Sequence, residues 1–222
     1  MENKKVIILN ASPRKNFTTA KLLESAKRGA ESAGFETEFI NLVELNYKGC
    51  VSCYACKRKN ARTNGLCAFK DDLTPVLEKI LDSHAVIVGT PIYYGNHSSL
   101  YRSFFERLHF AACTYVKDNS TGFTKRAINK YIPFGIINTM GATEIQYKNT
   151  FMPSLFGHNQ IMLKLVFGFC EYMNVFDTPH VRDYSKYDCD LFDEEHKKEI
   201  LETQFPMDLE RAFNFGKRIV LS

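Results

Sequence analysis

The 222-residue chain has no tryptophan, no G-x-G-x-x-G and no G-K-[ST]. Without those glycine motifs neither a dinucleotide fingerprint nor a P-loop is present, so no loop marks itself for a pyrophosphate or a nucleoside triphosphate. No apolar run approaches the roughly 20 residues of a membrane helix. The start, Met1 to Lys5, leads into too short an apolar stretch for a secretory signal. Low-complexity linkers, internal repeats and long basic blocks are also missing. The net charge of +4 is spread along the chain, which suits a small anionic ligand better than nucleic acid. The expectation is one globular domain over residues 1–222, cytoplasmic, with no membrane or nucleic-acid partner. Seven cysteines in such a setting read as thiols or metal ligands rather than disulfides.

What is present begins at the N-terminus. Val6, Ile7, Ile8 and Leu9 form a short buried strand, followed by a polar loop with Asn10, Ser12, Arg14, Asn16, Thr18 and Thr19. A helix over 19–33 follows and stops at Gly34. Strand, hydroxyl-rich loop and helix is a geometry that holds phosphate. The helix start offers free N–H groups and partial positive charge, Ser12, Thr18 and Thr19 offer hydroxyls, and Arg14 a planar cation. An ordinary Ser/Thr-capped helix after an edge strand gives the same local pattern. The loop carries no cysteine, which excludes a cysteine-phosphatase nucleophile; its hydroxyls suit one terminal phosphate monoester.

A second strand is expected over 35–41, completing a parallel βαβ unit. Asp71 or Asp72 caps the next helix. Residues 85–90 form a continuous apolar run, the mark of a strand covered on both faces. A helix starts near Ser98 or Ser99, 114–130 reads as a loop, and 131–138 as another buried strand. Residues 149–173 read as helical, interrupted at Pro153 and Gly157. The last strand is placed at 175–178, and a helix over 193–220 is expected to break or kink near Pro206. Five strands alternating with helices give an α/β fold, a doubly wound five-stranded parallel sheet of order 2-1-3-4-5, in which ligands bind beyond the carboxyl ends of the strands. Three loops meet there: 10–19, 91–97 and 139–142. The first holds a phosphate. The second offers Tyr93, Tyr94, Gly95 and Asn96, and the third a glycine for close approach. A phosphate at one end and a flat aromatic slot at the other describe flavin mononucleotide, FMN. His97 reads as a cap or surface residue rather than an acid–base group.

The stretch from Ala11 to Thr19 resembles the phosphate loop of the NADPH-dependent FMN reductase-like flavoproteins, a flavodoxin-fold group. Thr90, Pro91, Ile92, Tyr93, Tyr94, Gly95 and Asn96 resemble their isoalloxazine loop, and Thr139, Met140 and Gly141 their third loop. Many members carry Gly-Asn where this chain has Phe17 and Thr18. The resemblance implies redox chemistry at FMN, with NAD(P)H as cosubstrate and Ser12, Arg14, Asn16, Thr18, Thr19, Pro91, Ile92, Tyr93, Tyr94, Gly95, Asn96, Thr139 and Gly141 as cofactor-binding residues.

Gly49-Cys50, Cys53, Cys56, Gly65, Cys67 and Asp71-Asp72 resemble the iron–sulfur-flavoprotein branch. Three readings of Cys50, Cys53, Cys56 and Cys67 stay open: a [4Fe–4S] cluster, whose four thiolates must converge on one cube; a zinc site; or metal-free thiols in a cysteine-rich loop over 49–67. Cys170 reads as a core residue. The leading function is an FMN-dependent NAD(P)H oxidoreductase acting on quinones, flavins or other small electrophiles. An electron carrier without its own turnover and a cysteine-based redox or metal sensor are the alternatives. A homodimer or higher homo-oligomer is expected, with aromatic segments at 151–156 and 167–172 covering a neighbour's flavin.

Overall fold

In the computed structural model, residues 4–59, 61, 63–120 and 122–222 are described. The apolar run after Lys5 becomes β1 (Lys5–Asn10). Its side chains alternate between two covered faces, as a strand's must. Ile7 and Leu9 enter one core and Val6 and Ile8 the other, all without solvent exposure. Helix α1 (Thr18–Ser32), strand β2 (Glu36–Asn41), helix α2 (Thr74–Asp82) and strand β3 (Ala85–Tyr93) follow. Next come the short β4 (Asn96–His97) and helix α3 (Ser99–Ala112). Strands β5 (Cys113–Lys117) and β6 (Thr124–Arg126) form a small antiparallel hairpin. The chain ends with β7 (Phe134–Thr139), α4 (Glu144–Lys148), α5 (Met152–Phe167), β8 (Cys170–Val175) and α6 (Glu194–Val220).

The main sheet runs β2-β1-β3-β7-β8, with every neighbouring pair parallel. This is the expected 2-1-3-4-5 order, with β7 and β8 in fourth and fifth place. One face carries α2, α3 and α5 over Ile7, Val86, Val88, Phe134 and Ile136. The other carries α1 and α6 over Ile8, Ile87, Ile137 and Val175. Helices α1 and α6 approach so closely that a Cβ at Gly216 would lie 1.9 Å from the Ala26 carbonyl oxygen, and one at Gly29 1.9 Å from that of Phe213.

Several local expectations are corrected. The segment 114–130 is not all loop. Its β-branched and aromatic residues Thr114, Tyr115 and Val116 enter β5, paired to β6. The helix expected to run to 173 ends at Phe167, because Gly168 takes a left-handed φ of 91° that only glycine adopts freely. The last strand is therefore Cys170–Val175, not 175–178. Pro153 sits in the first turn of α5, where a missing N–H costs nothing, so the helix is not interrupted there. Helix α6 continues through Pro206. Neither Asp71 nor Asp72 caps α2, whose N-cap is Leu73. Asp71 turns instead to Arg107, and Asp72 accepts the Asn46 N–H at 2.8 Å. Cys170 lies in the core as expected, 1% exposed.

Candidate functional site

The loop after β1 folds on its own side chains. Asn10 Oδ1 accepts the Ser12 N–H at 3.0 Å, and Ser12 Oγ accepts the Arg14 N–H at 3.1 Å. These two turns carry the chain onto α1, whose N-cap, Phe17, supplies no side-chain cap. No acidic residue lies in the first turn. The partial positive charge of this helix start is thus left for an anion. Thr18 and Thr19 are buried there, and Thr19 Oγ1 lies 2.8 Å from Thr139 Oγ1, joining the first and third loops. Gly89 lets Thr19 approach β3 so closely that a Cβ would fall 2.8 Å from its methyl.

The second loop turns at Tyr94 and Gly95, with φ of 49° and 79°. Tyr93 is half-exposed and Tyr94 fully exposed. Behind the turn, Ser98 caps α3 by accepting the Tyr101 N–H, and its Oγ donates to the Ala11 carbonyl at 2.7 Å, so the first two loops are tied through one hydroxyl. His97 is neither cap nor surface residue. It is 4% exposed, with its ring between Tyr101 (centroids 4.5 Å apart) and Phe156 (4.6 Å). Neither ring nitrogen has a hydrogen bond among the described residues. Burial, with Arg102 nearby, lowers its pKa to about 4. The aromatic box wins because β4 pairs with β3 and turns the His97 side chain inward.

At the third loop the close approach expected of a ligand at Gly141 is taken by the chain itself: a Cβ there would lie 2.2 Å from His180 Nε2. His180 belongs to a fourth loop, after β8, which the sequence reading missed because it placed a strand over 175–178. Its imidazole stacks on Phe192 at 3.8 Å, and its carbonyl accepts from the Arg14 guanidinium, which also lies 3.8 Å over the Phe17 ring. Lys197, 4% exposed, donates to the Gly141 carbonyl at 3.0 Å and to Asp177, whose other oxygen meets His196 Nε2 at 2.6 Å. Burial raises the Asp177 carboxyl, but Lys197 and His196 outweigh it and hold it below its usual value. The signal was present as Asp177, Thr178, Pro179 and His180, a turn-forming run just past a strand.

Together these loops line a cavity of about 70 Å³ at the carboxyl edge of the sheet. It gathers Arg14, Thr18, Thr19, Pro91, Ile92, Tyr93, Thr139 and Gly141 from the expected set, and adds Phe17, Met140, Thr178, Pro179 and His180. Ser12, Asn16, Tyr94, Gly95 and Asn96 lie outside its lining: Ser12 is buried in the turn, Asn16 faces a neighbouring cavity, and the Asn96 carboxamide oxygen accepts the His97 N–H.

Cys50, Cys53, Cys56 and Cys67 line one pocket beside α3. Arg107, fully buried, fixes it: Nε donates to Cys67 Sγ at 3.0 Å, and the two terminal nitrogens bond Asp71 at 2.7 and 3.2 Å and the carbonyls of Lys48 and Phe69. Lys57 reaches the carbonyls of Phe110 and Cys113. Burial raises the Cys56 thiol. Among the described residues no three of His, Cys, Asp and Glu stand close enough to hold a metal ion. The four cysteines share one pocket, and the three readings of them stay open. All seven cysteines are unpaired.

A parallel doubly wound sheet whose edge ends in an uncapped helix, hydroxyls and an arginine defines a flavodoxin-like domain. The chain belongs to the NADPH-dependent FMN reductase family, whose model matches residues 4–146. An iron-sulfur flavoprotein of Archaeoglobus fulgidus is 35% identical over 107 residues, 48% of this chain and 50% of the relative. One of Methanocaldococcus jannaschii is 32% identical over 103 residues, 46% and 51%. The chain thus spans about half the length of these curated relatives. Among solved structures, an NAD(P)H:quinone oxidoreductase from Methanothermobacter marburgensis shares the fold with a TM-score of 0.67 at 18% identity, covering 97% of this chain and 96% of that one. An azoreductase from Bacillus anthracis shares it at 0.59 and 14%, covering 97% and 99%. Among the described residues no helix is long and apolar enough to cross a membrane.

Proposed function

We propose that the chain, as one domain over residues 1–222, is an FMN-dependent NAD(P)H oxidoreductase that reduces quinones, flavins or other small electrophiles. The observation that carries this reading is the meeting of loops 10–19, 91–97 and 139–142 in one cavity above an uncapped helix start. FMN supplies hydride acceptance and donation when bound. Arg14, Thr18 and Thr19 would hold its phosphate, with Ser12 shaping the turn behind them and Asn16 on the loop's outer side. Pro91, Ile92, Tyr93, Tyr94, Gly95 and Asn96 would flank the ring, and the backbone N–H groups of the Tyr93–Asn96 loop would counter the negative charge it gains. Thr139 and Gly141 close the third side. Among the described residues none is needed as an acid or base.

Purified protein supplied with FMN should bind it one to one and oxidise NADH or NADPH when a quinone is added. Replacing Thr18 by valine and Arg14 by methionine should weaken FMN binding about tenfold while sparing riboflavin, which has no phosphate. Failure to bind FMN, or to oxidise either nicotinamide, refutes the assignment.

The shared cysteine pocket, together with the iron-sulfur flavoprotein relatives, favours a second reading in which Cys50, Cys53, Cys56 and Cys67 rearrange around a [4Fe–4S] cluster and the protein carries electrons. Iron and sulfide near four per chain in anaerobically purified protein, with negligible nicotinamide turnover, would select it. We place the protein in the cytoplasm on its unpaired cysteines. A homodimer is proposed on the exposed Ile145, Phe151, Ile161 and Leu165 of α4, α5 and the turn joining them, near the Gly95 loop. Sedimentation at micromolar concentration should give twice the chain mass; a monomer overturns it.

A further inference from the structure

The phosphate loop has a second, outer side. Beyond Phe17 and Thr18, and sharing them and Pro179 with the edge cavity, lies another cavity of about 210 Å³ between α1 and α6. Its walls are Val181, Leu201 and Phe205, its cations Lys21 and Arg182, and no carboxylate lines it. Most surface cations near this edge are neutralised: Lys15 pairs with Glu44, Lys186 with Asp183, Lys198 with Glu194. Arg14, Lys21 and Arg182 form no ion pair with a carboxylate among the described residues. Arg14 bonds the His180 carbonyl, and Arg182 makes a long 3.4 Å bond to the Asn16 carbonyl. The two arginines thus cross, each from one loop to the other's backbone, with the uncapped helix start between them.

One phosphate monoester accounts for Arg14, Thr18 and Thr19. It leaves Lys21, one turn further along α1, and Arg182 facing the outer cavity without an anion. An apolar slot with two unneutralised cations, continuous with a phosphate site, fits a nucleoside phosphate joined to the first. We propose that the chain accepts flavin adenine dinucleotide, FAD, with its flavin at the edge cavity and its adenylate half in the outer cavity, the second phosphate held by Lys21 and Arg182. No glycine fingerprint is needed, because side-chain cations replace the backbone cradle. Arg182 and the wall residues Val181, Leu201 and Phe205 lie beyond the 4–146 family match, and Lys21 lies within it. The proposal rests on the flavin reading above.

The test is calorimetric titration of the flavin-free full chain with riboflavin, FMN, FAD and adenosine monophosphate. FAD should bind at least as tightly as FMN. Joint replacement of Lys21 and Arg182 by methionine should weaken FAD about tenfold and FMN much less. Leu201→Glu, at a partly exposed α6 position that tolerates charge, should also weaken FAD selectively. Tight FMN binding with FAD more than about tenfold weaker overturns this proposal alone, as does FAD binding indifferent to both sets of substitutions. Binding of neither flavin overturns it together with the proposed function.

Discussion

Arg107→Met should lower the unfolding free energy by about 3–5 kcal/mol, read as a shift in urea midpoint at unchanged slope. The guanidinium is fully buried and spends its donors on Asp71, two carbonyls and the Cys67 sulfur. Methionine fills much of the volume but leaves Asp71, 12% exposed, without its cation, the Lys48 carbonyl without its Arg107 donor, and the Phe69 carbonyl with only the long 3.4 Å bond from the Thr74 hydroxyl. Stranded buried charge is the expensive part, so the double variant Arg107→Met with Asp71→Asn should recover a good share of the loss. Arg107→Lys should fall between, because an ammonium cannot form the paired bonds to Asp71. A loss below about 1 kcal/mol would show that the loop over 46–72 is held by something other than this network.

What could be read without coordinates was whatever depends on neighbours in the chain. β1, β3 and β7 are apolar runs, and parallel strands covered on both faces must be apolar runs. The βαβ alternation then restricts the sheet order, and the loops at the carboxyl edge follow. What was hidden depends on partners far away. Arg107 and Asp71 are 36 positions apart, and nothing local tells a carboxylate three residues before a helix to pair with a buried arginine rather than cap. β8 reads Cys-Glu-Tyr-Met-Asn-Val, without the β-branched density of the inner strands, because it is an edge strand with one side open. Misplacing it by a few residues concealed the fourth loop, and with it His180, Lys197 and Asp177. The inward turn of His97 was hidden for the same reason: its partners Tyr101 and Phe156 come from α3 and α5.

That buried histidine makes the fold sensitive to acid. In the native protein His97 stays neutral down to about pH 4, whereas the unfolded chain takes up its proton near the ordinary 6.5. The unfolded state therefore binds more protons between these values. Its stability contribution is intact above pH 6.5, falls as the pH drops toward 4, and levels off below. The difference of the two pKa values corresponds to about 3 kcal/mol. His109 and His180 are lowered in the same direction by burial, so the whole protein should lose more than His97 alone accounts for. Asp71 and Asp177 lie below the usual carboxylate range, and their contributions disappear only at lower pH. His97→Phe isolates the imidazole, since a phenyl ring fits between Tyr101 and Phe156 and leaves no buried nitrogen unpaired. Urea unfolding at pH 7.5, 6, 5 and 4 should show the two proteins diverging by about 3 kcal/mol on going to the most acid point, with the variant the less affected. Parallel curves would mean that native His97 takes up its proton as readily as the unfolded chain does, and that the chamber behind the Tyr93–Asn96 turn admits charge.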